Sequence, residues 1–194
     1  WIETRRELYR ILRTETHLSS TSMLQRAMEF AFEGRHINED FFQLNESEAL
    51  YALANLSGSK AAKLINNALT WNHYHLFYEQ DNTEEDLRLS NFYDNWRARK
   101  EFTDDLADNL RMPREDVVIY VGKNRGEKEI RLPFYGDNAT EVRTLFSSKP
   151  GIQKLAVFFL KDHIQTLDSK KVADTIEGMI RELPEAESGG HSFL

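Results

Sequence analysis

Apolar positions along the chain change period near residue 112. Before it they recur at helical spacing. After it they run together or alternate. Leu8, Ile11 and Leu12 form an i, i+3, i+4 stripe. A polar "SSTS" at 19–22 interrupts it, and Met23, Leu24, Ala27, Met28 and Ala31 resume it. The pattern predicts helix over residues 3–33, as one kinked helix or two end to end. Gly34 is the expected stop, because glycine takes a left-handed conformation without penalty. "NESEAL" opens a short helix, with Asn45 and Glu48 spaced as a capping box and an end near Asn55. "SGSKAAKLINNALTWN" is a further helical segment, expected to end near "WNHYHLFYEQ". A longer helix is predicted over residues 84–109, anchored by Leu87, Phe92, Trp96, Phe102 and Leu106, with Pro113 just past its end.

The second pattern begins with "VVIYV" at 117–121, a continuous β-branched run. "GKNRGEK" reads as a hairpin turn, and "EIRLPF" alternates, with Pro133 placing it at an edge. "KLAVFFL" reads as a strand buried on both faces. Asp168 caps a closing helix whose apolar positions are Val172, Ile176, Met179 and Leu183. The fold class is therefore α+β: a mostly helical N-terminal part, then a small α+β domain with a short antiparallel sheet and a C-terminal helix. The expected division is 1–112, 113–183 and a flexible tail over 184–194.

Composition narrows the chemistry. The 194 residues carry 29% charged and 40% hydrophobic positions, a globular balance. No apolar run approaches the roughly 20 residues needed to span a bilayer, so no membrane association is expected. Cysteine is absent, which excludes disulfides, thiolate metal sites and a Cys nucleophile and fits a cytoplasmic protein. A net charge of −7 argues against broad nucleic-acid binding. Against that background the opening is unusual. Arg5, Arg6, Arg10 and Arg13 fall within nine residues. Arg6, Arg10 and Arg13 share one helical face, with His17 a turn on. They suit phosphate oxygens, or they pair with Glu3 and Glu7 on a solvated face.

Other candidates are weaker. His73 and His75 are two residues apart, a spacing that diverges on a helix, and no third ligand is evident, so no metal is expected here. Trp71, Tyr74, Phe77 and Tyr78 are expected as a packed aromatic seam. "GKNRG" lacks the Ser or Thr and the following helix of a P-loop. Asp162–His163 has no evident partner, and Asp104–Asp105 and Glu84–Asp86 read as solvated faces.

The order of segments resembles the C-terminal half of HD-domain phosphohydrolases, the group that includes dNTP triphosphohydrolases. The likeness rests on "RRELYRILRTETH", "SMLQRAMEFAF", "NHYHLFYEQ", "DVVIYVGKNRGEKEIRLPFY" and "KLAVFFLKD", and spans most of residues 2–183. It implies a phosphate-contacting role for Arg5, with Tyr9 and Arg10 beside the substrate, and no catalytic residue in this chain. The family's H…HD…D metal set has no counterpart here, since no His is followed by Asp. The resemblance therefore implies the distal region of a longer enzyme, not catalytic by itself, whose parent holds a divalent metal, takes a nucleoside triphosphate and forms a homo-oligomer. A chain that opens on Trp fits that expectation. The alternative is an HD-less, stand-alone interaction or oligomerisation module. A nucleic-acid contact through the basic helix is a third reading.

Overall fold

The computed structural model describes residues 14–82, 95–123, 131–135, 140–144 and 153–183, with the single positions 4, 89 and 92. Helix α1 runs Glu15–Glu33. Thr14 is its N-cap, in extended backbone, so the helix begins there and does not continue back through residue 14. The break expected at 19–22 is absent, because the buried serine hydroxyls find backbone acceptors, one across the fold and one within the helix. Ser19 Oγ donates to Tyr74 O at 2.7 Å and Ser22 Oγ to Leu18 O at 2.9 Å, both buried. Gly34 does end α1, but with φ −71°. Arg35 takes the left-handed turn instead, at φ 56°. His36 N donates to Ala31 O and Arg35 N to Phe32 O, the paired bonds of a Schellman close. Glycine at 34 answers a different need: a Cβ there would lie 2.6 Å from the His36 ring.

Helix α2 spans Glu46–Ala54 with the expected capping box, Asn45 and Glu48 each bonding the other's backbone. Helix α3 spans Lys60–Leu69 behind the Ser59 cap. Strand β1 then occupies His75–Asn82, where the sequence suggested a helix end. Pairing along its length with a later strand outweighs the weak local pattern. Helix α4 spans Trp96–Leu110. Its N-cap is Asn95, at ψ 93°, so the helix predicted from residue 84 starts later; most of 83–94 lies outside the described residues.

Strands β2 (Val117–Lys123) and β5 (Gln153–Phe159) complete a sheet of order β1-β5-β2, antiparallel throughout. Among the described residues β2 does not pair with "RLPF" as the expected hairpin would have it. Strand β3 (Arg131–Tyr135) pairs instead with β4 (Thr140–Thr144), a strand the sequence did not suggest, in a separate two-stranded ribbon. The turn residues 124–130 lie outside the described residues, as does the expected flexible tail, 184–194. A short helix α5 (Lys161–Ile164) leads to α6 (Ser169–Glu182), capped by Asp168 as expected.

Strand β5 is the centre. Alternate side chains of a strand point to opposite faces. Leu155, Val157 and Phe159 enter one core with Phe102 and Leu106 of α4 and Val172, Ile176 and Ile180 of α6. Ala156 and Phe158 enter the other with Met23, Ala27 and Ala31 of α1 and Leu64 and Ile65 of α3. The architecture is α+β, with β1 drawn from before residue 112 and β2 and β5 from after it. Among the described residues no helix is long and apolar enough to cross a membrane.

Candidate functional site

Arg5, Tyr9 and Arg10 lie outside the described residues. What the structure describes is the element they lead into. The first turn of α1 is tied to the sheet, with Leu76 N donating to Glu15 Oε1 at 2.8 Å. Ser20 Oγ donates to Thr16 O at 2.8 Å and lies 3.0 Å from His73 Nδ1. The hydroxyl has one proton and has spent it, so Nδ1–H is the donor to Ser20 Oγ. The His73 ring thus turns to α1, while His75 lies on β1. Among the described residues no three His, Asp or Glu side chains are grouped to hold a metal. The divalent ion implied by the resemblance does not fit them.

The titratable groups gather in two places instead. The larger is a buried ionic network between α1 and α4. Arg26 is 2% exposed and Asp104 6%. Arg26 pairs with Asp104 and, at 3.2 Å, with Glu29. Arg99 bonds Glu29 at 2.8 Å, and Lys100 bonds Asp104 at 2.7 Å and Glu33 at 3.2 Å. Arg114 reaches Asp104 at 3.3 Å and Asp108 at 2.7 Å. Burial alone would raise the Asp104 carboxyl. Its bonds to Lys100 and Arg26, with their charges, outweigh burial and hold it below the usual carboxylate range. Burial likewise lowers Lys100, and Asp104 and Glu33 reverse that and hold its ammonium above its ordinary value. Asp104 is therefore a buried ion-pair centre and not part of a solvated face. Asp105 beside it is exposed, as expected.

The smaller cluster surrounds Asp116, in the short 3-10 turn Arg114–Asp116 before β2. Lys63 Nζ bonds its Oδ1 at 2.6 Å and His163 Nε2 meets its Oδ2 at 2.8 Å. His163 therefore does have a partner, brought back by α5. Tyr74 donates its hydroxyl to Glu115 O at 2.8 Å. Burial, then the nearby Asp116 charge, hold that phenol well above its ordinary value. A buried carboxylate holding an imidazole is the orienting half of a general-base pair. Among the described residues no side-chain hydroxyl is bonded to the His163 ring.

The aromatic seam divides. Tyr74 is buried, and Phe77 packs edge-on to Phe159 with centroids 5.2 Å apart. Trp71 does not join it: it is 80% exposed, in left-handed backbone at φ 61°. Sequence reading missed both ionic clusters. Arg26 and Asp104 are 78 positions apart, and His163 and Asp116 are 47 apart, so no local spacing links them.

No family model matches the chain, and no curated protein matches it. Among solved structures, a phosphohydrolase from Bacteroides thetaiotaomicron is similar to it at 14% identity and a TM-score of 0.45, over 80% of this chain. The chain spans 47% of that protein's length, about half.

Proposed function

We propose that this chain is the distal, triphosphate-recognising region of a metal-dependent HD-type phosphohydrolase acting on nucleotides. Arg5 and Arg10 contact phosphate and Tyr9 flanks the substrate. The chain recognises charge and is not catalytic by itself. The observation that carries this reading is the opening stretch, four arginines in nine residues of a chain with net charge −7, followed by the segment order of that family. Guanidinium groups bind phosphate oxygens in paired, charge-assisted bonds. The stretch ends at the N-cap of α1, whose first turn is fixed to β1, and a rigid neighbour lowers the ordering cost of binding.

The test is a calorimetric titration of the chain with a deoxynucleoside triphosphate, with released phosphate followed in parallel. Saturable, salt-sensitive binding without phosphate release is expected. Arg5→Ala and Arg10→Ala should each weaken it about tenfold or more, since a charged hydrogen bond contributes roughly 1.5–3 kcal/mol. Unchanged affinity in both variants overturns the site, and phosphate release by the chain alone overturns its inertness.

Exposed aromatic residues on the helical side favour the second reading, an interaction or oligomerisation module. Besides Trp71 they are Tyr51, 73% exposed, and Phe42, 68% exposed.

A further inference from the structure

A cleft of about 500 Å³ opens at the far end of α1. Nineteen residues at 1.5 Å each separate it from Thr14 by about 28 Å. It is thus remote from the point where the arginine-rich opening ends, and it has no part in the triphosphate recognition proposed above. One wall is aromatic: Phe32, half exposed, meets Trp96 edge-on with centroids 5.5 Å apart. Ile37, three cations (Arg35, Arg97 and Lys100) and two carboxylates (Glu33 and Glu101) complete the lining.

The cations are not equally engaged. Lys100 holds Glu33 and Asp104, which leaves one of its three N–H donors. Arg97 lies over the Trp96 ring at 5.4 Å. Among the described residues neither Arg35 nor Arg97 has a carboxylate partner, in a chain where acids outnumber bases. Arg35 also sits in left-handed backbone, at φ 56°. That conformation is one a residue with a Cβ rarely adopts. Among the described residues the Arg35 guanidinium thus has no carboxylate partner, at a position whose backbone glycine would meet more easily.

We propose that this cleft binds a planar aromatic anion. The ring lies against Trp96 and Phe32, and the anionic group, a phosphate monoester or a carboxylate, is taken by Arg35 and Arg97. A planar guanidinium suits either group, because both present two oxygens to its fork. A neutral ring leaves the arginines unanswered, and a bare anion leaves the aromatic wall unused.

The test is a calorimetric titration of the chain with phenyl phosphate and with phenylacetate, against inorganic phosphate and benzyl alcohol. At least one aromatic anion should saturate with a Kd at or below about 1 mM, about tenfold tighter than both controls. Whichever anion is preferred identifies the group. Arg35→Gly keeps the left-handed turn and should fold at least as well, yet bind about tenfold more weakly. Arg97→Ala should weaken binding similarly, while Arg5→Ala should leave it unchanged. That last comparison separates failure of this cleft from failure of the triphosphate site. The proposal is overturned if neither aromatic anion saturates, if inorganic phosphate binds as tightly as phenyl phosphate, or if affinity survives in both cleft variants.

Discussion

Asp104 concentrates the electrostatics of the molecule in one side chain. It accepts from Arg26, Lys100 and Arg114, residues from α1, from α4 and from the turn before β2. Removing it leaves Arg26 buried with Glu29 alone, and breaking a buried pair costs about 3–5 kcal/mol. Asp104→Ala should lose roughly that much in urea denaturation. The pH dependence follows from the direction of its shift. The folded carboxyl lies below its ordinary value, so its stabilisation is fully present above about pH 4 and is lost as the pH falls through the folded value. Asp104→Asn, which cannot ionise, should lack that acid-side loss. The melting temperatures of the two proteins should therefore converge as the pH falls through that folded value. A gap that does not narrow on acidification from pH 7 would show that the carboxylate charge contributes nothing. The sequence placed Asp104 and Asp105 alike on a solvated face. Only the fold separates them, because Arg26, the buried partner of Asp104, is 78 positions away in the chain.

At the scale of elements, three helices end on a non-glycine residue in left-handed backbone: α1 on Arg35, α3 on Trp71 and α4 on Arg111. Each closes with the same pair of backbone bonds, such as Met112 N to Ala107 O at 2.9 Å and Arg111 N to Asp108 O at 3.0 Å after α4. Glycine meets this geometry without steric cost, offset in part by the entropy it loses on folding. Arg111→Gly should therefore raise unfolding stability by about 0.5–1 kcal/mol, read as a higher urea midpoint at unchanged m-value. A lower midpoint would mean that the Arg111 side chain contributes contacts worth more than the strain. Elements were legible where local signals were strong: the capping box at Asn45, the cap at Asp168, and "KLAVFFL", whose unbroken apolar run leaves few settings but a buried strand. They were illegible where tertiary pairing decides. Strand β1 is polar at its end and becomes a strand only because β5 lies beside it. Strand β2 takes β5 rather than its neighbour in sequence. The candidate residues show the same contrast. Arg5, Tyr9 and Arg10 stand in one short segment, where a single stretch of sequence suggests them. Arg35 and Arg97 share a cleft across 61 intervening positions and carry no common motif.

For the whole molecule, β5 is the wall shared by two cores. Phe158 and Phe159 are neighbours in sequence, both fully buried, and face opposite sides. Truncating a buried phenylalanine costs about 3–5 kcal/mol. Phe158→Ala and Phe159→Ala should each lower stability by that amount. Each should still unfold in one transition by both far-ultraviolet dichroism and tryptophan fluorescence, since neither core is closed without the strand. Separate transitions for the two probes would show that the cores are independent.

The same strand sets the order of events while the chain is being made. β1 and β2 never pair with each other; each waits for β5, and Tyr78 meets Val157 only when 79 further residues have been added. Such distant contacts bear a loop-closure cost before they return anything. A nascent chain on the ribosome therefore carries helices α1 to α4 with both apolar faces unroofed until residue 159 has emerged. Any chain interrupted before residue 153 stays in that state. It would be held by chaperones or removed by proteases, and would behave in the cell as an unfolded protein although its first four helices are already made.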